Sequence, residues 1–506
     1  MKFDGKILVI GCGSVSQCVL PLILRLITIP PSQITIIDFV DNRAHVTDVL
    51  ARGVQYEIVR ITEESYKATL AGYVGRGDMI IDLAWNIGCV DIVNWCHENG
   101  VLYLNTSVEV WDPYGEEERL DPRPYTLYTR HLDLAKMIDR WGGNKGTTAI
   151  VDHGANPGLV SHFTKVALIG IAEKVLTEKL NDARQEALRE ALSVKNFAKI
   201  AHLTGVKTIH ISERDTQITN KPKEVNEFVN TWSIEGFYEE GVAPAELGWG
   251  THERNIPANM WFYEEGPKNQ TCLSTIGVKT WARSWVPCGE ITGMIIRHGE
   301  AFSISNRLTV WDGGKAVYRP TVHYVYCPCD AAVNSLHELE MRQYALQTNQ
   351  RIMNDEIISG RDELGVLIMG HDFNSWWTGS LLDIHETRTL LPHQNATTLQ
   401  VAISIVAAAI WAMRHPQNGF CLPDDLDHEE VLEICRPFLG PFVSEAVDWT
   451  PLKNLDLKYT SFGGVKPKEE DVWQFTTFMV DPQVLASAKR VEELPASHLA
   501  VAAAAR

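Results

Sequence analysis

Lys6-Ile7-Leu8-Val9-Ile10-Gly11-Cys12-Gly13-Ser14-Val15-Ser16 is the stretch on which the fold turns. Residues 6–10 have the unbroken apolar character of a strand buried on both faces of a parallel sheet. They break into a Gly-x-Gly-x-x-Ser turn, and residues 17–27 then carry an apolar face at helical spacing. A second buried run, 34–37, ends in Asp38. Strand, glycine turn, helix, strand and acid is the order of a dinucleotide-binding βαβ unit. Gly11 permits a tight turn off the strand, and Gly13 lets backbone approach a pyrophosphate. Ser14, Val15 and Ser16 open a helix whose free N–H groups and positive dipole end favour phosphate. Ser16 replaces the third glycine of the pattern and is still small enough for close helix–strand packing. Asp38 stands where a carboxylate accepts from ribose hydroxyls and repels a 2′-phosphate, so NAD is expected rather than NADP.

Outward from that unit the alternation continues. Helices are expected at 44–51, 63–71, 90–98 and 125–140, and strands at 56–60, 78–83, 101–105 and 148–152. The strand ends put Ala84, Trp85 and Asn86, then Thr106, then Asn156 and Pro157, on the cofactor side of an open sheet. The fold class is α/β: an N-terminal Rossmann domain (1–156) and a second α+β domain with a mixed or antiparallel sheet (157–390). A C-terminal part (391–506) returns a helix to the first domain. In the second domain, 159–171 and 176–201 read as helices, 290–310 as a hairpin around His298-Gly299-Glu300, 331–351 as a covering helix, and 364–386 as a hairpin.

The composition narrows the class. With 22% charged and 45% hydrophobic residues the chain is an ordinary globular one. A net charge of −18 argues against nucleic acid and suits a cationic small molecule. With the first strand starting at Lys6, no leader is expected. The longest apolar run, 399–413, is shorter than a bilayer span, so no membrane partner is expected. Ten cysteines are scattered, and apart from Cys327-Pro328-Cys329 none are close; no metal site is expected, and a reducing, cytoplasmic setting is.

The second domain has no nucleophile-elbow or P-loop motif. It does concentrate acids beside aromatics: Glu213 and Asp215 in Ser212-Glu213-Arg214-Asp215, expected to follow a strand; Trp232 with Glu239 and Glu240; His298 and Glu300; Asp362. Carboxylates make charge-assisted hydrogen bonds to ammonium groups, and a tryptophan face attracts a cation. Singly, each acid reads as a solvated charge and each tryptophan as core; the combination beside a dinucleotide unit points to an NAD-dependent enzyme for a cationic substrate.

Five segments resemble the bacterial homospermidine synthases: Asp152-His153-Gly154-Ala155-Asn156-Pro157-Gly158-Leu159-Val160-Ser161, Ser212-Glu213-Arg214-Asp215-Thr216-Gln217, Arg297-His298-Gly299-Glu300-Ala301, Asp362-Glu363-Leu364-Gly365 and Pro392-His393-Gln394-Asn395-Ala396-Thr397. The resemblance runs in order over nearly the whole chain. It implies condensation of two putrescines to sym-homospermidine with loss of ammonia, spermidine also serving as aminobutyl donor, NAD as prosthetic group, and a homodimer formed through the second domain. It further implies that Trp232 lies over an iminium carbon and that Glu213 and Glu240 hold amines and move protons. His298 and Glu300, as a hairpin-tip pair, would position an amine, Asp362 would bind a distal ammonium, and Asn156 would sit beside the nicotinamide. The acidic loop 112–121 would rim the entrance. More distantly the layout resembles saccharopine and carboxynorspermidine dehydrogenases. A Schiff-base reductase of that type is the nearest rival, and would want arginines for a substrate carboxylate; a non-catalytic NAD sensor is a second.

Overall fold

Residues 1–113, 121–455 and 466–493 are described by the computed structural model of this chain. Most of the acidic loop, 114–120, lies outside them. The first sheet is parallel throughout. Its strands are β1 (Ile7–Ile10), β2 (Ile34–Asp38), β3 (Gln55–Ile58), β4 (Met79–Asp82), β5 (Leu102–Asn105) and β6 (Gly146–Ile150). The connecting helices are α1 (Ser14–Leu26), α2 (Thr47–Ala51), α3 (Tyr66–Tyr73), α4 (Cys89–Asn99) and α5 (Leu127–Arg140). The spatial order β3-β2-β1-β4-β5-β6 reverses between β1 and β4, the switch point where α/β sheets bind ligands. β1 and β4 are fully buried because helices cover both faces, which is why their sequences read as continuous apolar runs.

The second sheet is mixed. Its strands are β7 (Thr208–Asp215), β8 (Pro244–Gly248), β9 (Met260–Phe262), β10 (Gln270–Ile276), β11 (Trp281–Val286), β12 (Gly289–Met294), β13 (Thr321–Cys327), β14 (Arg361–His371) and β15 (Asn374–Asp383). After β16 (Asn418–Cys421), β17 (Phe442–Val447) completes it. The order is β9-β10-β8-β13-β7-β14-β15-β17, with the β11–β12 hairpin attached to β13. β7 and β13 run parallel; the other pairs are antiparallel. β16 returns to the first sheet and pairs parallel with β6 as its seventh strand.

Helices of the second half are α6 (Leu159–Glu178), α7 (Gln185–Ser193), α8 (Phe197–Thr204), α9 (Ile234–Val242), α10 (Gly299–Arg307), α11 (Asp330–Met341), α12 (Ile384–Leu390), α13 (Ala396–Arg414) and α14 (His428–Cys435). α13 does return to the first sheet. It packs on α1, β5 and β6 and also touches β14 and β15, so it is wedged between the two sheets. Its 19 residues are long and apolar enough to cross a membrane, longer than the sequence reading allowed, but the apolar window is 94% buried inside the protein. This is a core helix, apolar all round because both flanks are protein.

Three local expectations are corrected. Residues 290–310 are not a hairpin: β12 ends at Met294, and α10 begins at Gly299, so His298 and Glu300 stand at a helix N-terminus. Residues 299–305 are buried on every side, which erases the difference between period 2 and period 3.6. The covering helix stops at Met341, short of 351; Gln343 and Tyr344 take φ of +54° and +65°, and Asn349–Ile352 is a strand. Ser212 to Asp215 do not follow a strand but form the last residues of β7.

Candidate active site

At the end of β1 the chain turns through Gly11 at φ +89°, where an added Cβ would stand 3.0 Å from the Leu83 carbonyl oxygen. Only glycine takes that turn unstrained. At Gly13, the N-cap of α1, an added Cβ would meet no atom within 4 Å, so the space before the first-turn residues Ser14, Val15 and Ser16 is an open cradle. Ser16 is buried and its hydroxyl donates to the Gly11 carbonyl at 2.7 Å, tying the turn to the helix. Asp38 ends β2 and accepts from the Cys12 N–H at 2.6 Å and the Val40 N–H at 2.9 Å, which holds its carboxylate beside the turn. Ala84, Trp85 and Asn86 follow β4 and Thr106 follows β5, all at the same C-terminal edge of the sheet; Trp85 is 41% exposed. Cradle, carboxylate and open edge together fit a dinucleotide.

The amine-binding candidates are gathered by strand register. Side chains alternate along β7, so Glu213 and Asp215 share a face. Glu213 is paired with Tyr326 of β13 and Leu364 of β14, and Asp215 with Asp362. One face of the second sheet therefore collects Glu213, Asp215, Asp362, Tyr324 and Tyr326. Glu213 Oε2 accepts from Asn156 Nδ2 at 2.7 Å and from the Tyr324 hydroxyl. That carboxylate thus joins the loop after β6 to the second sheet. The rings of Tyr324 and Tyr326 stack at 5.3 Å, and Trp232, just ahead of α9, donates its Nε1–H to the Tyr326 hydroxyl at 3.0 Å. The three rings form a wall beside the acids.

His298 completes the cluster. Its ring lies 4.4 Å from that of Tyr324; Nδ1 is 3.2 Å from Glu300 Oε1 and Nε2 is 3.1 Å from Glu240 Oε2. Glu239, the neighbouring acid, faces elsewhere and pairs with Arg130 and Arg297. Asp362 Oδ2 accepts from the Thr397 hydroxyl at 2.7 Å, at the start of α13. Two buried carboxylate oxygens of the cluster, Asp362 Oδ1 and Glu300 Oε2, have no hydrogen-bond partner among the described residues. Buried acceptors without donors are costly, and an ammonium group is the donor that would satisfy them.

Burial pushes Glu213 up to about 7, against hydrogen bonds from Tyr324 and Asn156 that favour its charged form. Burial, then the charges of Glu213 and Asp215, pushes Asp362 well above the carboxylate range. For His298, burial favours the neutral ring, but Glu300 and Glu240 outweigh it and hold the imidazole protonated well above its usual value. Glu239 shows the contrast: burial opposes its charge, yet Arg297 and Arg130 keep it ionised. Among the described residues no cluster of His, Cys, Asp and Glu suits a metal ion.

All six sequence-named amine-site residues thus fall in one neighbourhood, with Asn156 bonded into it. Sequence reasoning missed Tyr324 and Tyr326. Their signal was the alternation Tyr-x-Tyr in a strand, which reads equally as core packing.

Residues 7–150 match the family model of the saccharopine dehydrogenase NADP binding domain, and residues 154–447 that of the saccharopine dehydrogenase C-terminal domain. The homospermidine synthase of Blastochloris viridis is 40% identical over 490 residues, which covers 95% of this chain and 98% of that one. That of Mesorhizobium japonicum is 37% identical over 489 residues, covering 95% and 97%. The crystal structure of the Legionella pneumophila homospermidine synthase in complex with NAD aligns with a TM-score of 0.84 at 37% identity, covering 95% of this chain and 99% of that one. With similarity sustained from end to end of all three proteins, the chain belongs to the homospermidine synthase family.

Proposed function

We infer that the protein is a homospermidine synthase: it transfers an aminobutyl group from one putrescine to the amine of a second, releases ammonia and binds NAD as a prosthetic group, with spermidine as a further donor. The observation that carries this reading is the buried acid cluster on one sheet face, with two orphaned carboxylate oxygens and an aromatic wall, joined through Asn156 to the cofactor edge.

Gly11, Gly13 and the first turn of α1 (Ser14, Val15, Ser16) would hold the pyrophosphate, and Asp38 the ribose. Ala84, Trp85, Asn86 and Thr106 would line the cofactor edge, with Asn156 and Pro157 beside the nicotinamide. The domain family is described as NADP-binding; the Asp38 carboxylate, which would repel a 2′-phosphate, supports NAD. When bound, the nicotinamide supplies an acceptor for the hydride on an amine-bearing carbon and returns that hydride to the exchanged Schiff base. The chain's own residues supply the rest. A free alkyl amine holds its proton to a pKa near ~10, so a base must take that proton before the nitrogen can form an imine or attack one. Glu213, balanced at about 7, is matched to that exchange near neutral pH. The His298 imidazolium, held by Glu240 and Glu300, keeps two carboxylates in place for an ammonium end. Asp362 Oδ1 takes the distal ammonium, and Trp232 faces the iminium, with Tyr326 fixing its ring. Burial of the cluster keeps water from the imine, which would otherwise hydrolyse.

A cytoplasmic enzyme acting as a homodimer is part of the same reading; sedimentation equilibrium giving a 56.7 kDa particle would count against the dimer. The decisive test of the activity is a mass balance on the holoenzyme with putrescine. Equal homospermidine and ammonia without accumulating NADH is the expected result. NADH with aminobutyraldehyde would mean a simple amine dehydrogenase. NAD(P)H oxidation with a keto or semialdehyde acid plus an amine would mean a Schiff-base reductase.

A further inference from the structure

We propose that Asp152 and its buried partner His131 are positioning residues: they seat the N-terminus of α10, and with it His298 and Glu300, against the end of β6. The proposal rests on the functional reading above and adds two residues that act through the side chains they seat.

Helix α10 begins without a cap of its own. His298 occupies the N-cap but its side chain caps no backbone N–H of the first turn, and Glu300, in that turn, is turned toward the His298 ring. Ser, Thr, Asp or Asn would normally fill such a position, because the first N–H groups of a helix lack partners inside it. Here both side chains are diverted to the amine site. Negative charge comes instead from the first sheet. Asp152 lies just past β6, and its carboxylate packs against Gly299, the first residue of α10. A Cβ added to Gly299 would stand 2.0 Å from Asp152 Oδ2 and 3.2 Å from His131 Nε2. Only glycine leaves room for a carboxylate there, at the positive end of the helix.

Asp152 is held firmly for this purpose. Its φ is +61°, a strained conformation for a residue with a side chain. Its N–H donates to Asn105 Oδ1 at 3.0 Å, and the next N–H, of His153, to the Asn105 carbonyl at 2.9 Å. Its Oδ2 lies 2.9 Å from His131 Nε2, with both side chains nearly inaccessible. His131 belongs to α5, which is itself pinned to the second sheet: Glu246 of β8 accepts from the Leu127 and Tyr128 N–H groups at 2.7 and 3.0 Å. The turn that begins at Asp152 goes on to Asn156, the donor to Glu213. One short segment therefore sets both halves of the acid cluster relative to the cofactor edge.

Asp152→Gly and Gly299→Ala test this. Glycine adopts φ +61° freely, so Asp152→Gly removes the carboxylate without loading the backbone; Gly299→Ala keeps every charge and displaces the carboxylate. For Asp152→Gly we expect a folded protein with kcat lower by at least 20-fold and a putrescine KM changed less than threefold. In both variants the NMR titration of His298 should move down by a pH unit or more, as its ring loses register with Glu240 and Glu300. A kcat within threefold of wild type in Asp152→Gly, or an unchanged His298 titration in Gly299→Ala, overturns the proposal. If the wild type makes no homospermidine, the functional reading fails, and the His298 titration still decides the positioning role.

Discussion

Glu213 illustrates how a single residue's environment sets its protonation. Its carboxyl is shifted from an ordinary value near 4.5 to about 7 by burial. Between those values the folded chain keeps a proton that the unfolded chain has released, so this group's contribution to stability falls as pH rises through that window. Glu213→Gln carries no such charge. It is expected to stabilise the amine-free protein at pH 8 by roughly 1–3 kcal/mol, with the gain vanishing at pH 4, while lowering kcat by about 10²- to 10⁴-fold. Melting curves at the two pH values and steady-state rates check both halves; a variant that is active, or equally stabilised at both, contradicts the role. In the wild type the carboxylate needed for a dicationic ligand is lost below about 7, so the putrescine KM should climb as pH falls from 8 to 6. Trp232 tests the aromatic wall. Trp232→Leu removes a cation–π contact of about 0.5–2 kcal/mol, so kcat/KM should fall roughly 2- to 30-fold, whereas Trp232→Phe should retain most of the activity.

At the scale of elements, the β1–α1–β2 unit is the part most legible in the sequence, because each step of it is local: an apolar run, a turn only glycine makes, a helix start, an acid about 20 residues on. The NAD preference proposed for Asp38 is equally local. Asp38→Ala is expected to weaken NAD binding about tenfold and NADP binding far less, measured by fluorescence titration of the two reduced cofactors; a parallel loss of both would mean that Asp38 only braces the Cys12 and Val40 N–H groups. Elements of the second half were harder to read. β7 and β14 are buried on both faces where β13 and β15 flank them, and α10 is buried all round, so the alternation that marks strands and helices is blurred.

For the whole molecule, α13 is the joint. It lies against α1 and the first sheet while its N-terminal Thr397 hydroxyl holds Asp362 of the second. Ile403 is fully buried in it. Ile403→Ala should cost about 2–5 kcal/mol. Because both sheets share this helix, calorimetry should show one transition moved to lower temperature; two separated transitions would show that the sheets unfold independently.

By itself the sequence determined the α/β class, the glycine turn, the acid–aromatic character of the candidate site and, through five ordered segments, the family. All of these rest on residue type and short-range spacing. Only the tertiary structure decided that Glu240 faces His298 while Glu239 answers two arginines, although the two acids are adjacent in the chain. The tyrosines of β13 and the strained Asp152 likewise came into view only through register and packing. One residue of helix rotation, or one step along a strand, sends a side chain to a different face, and which face meets which partner is set by contacts between segments far apart in the chain.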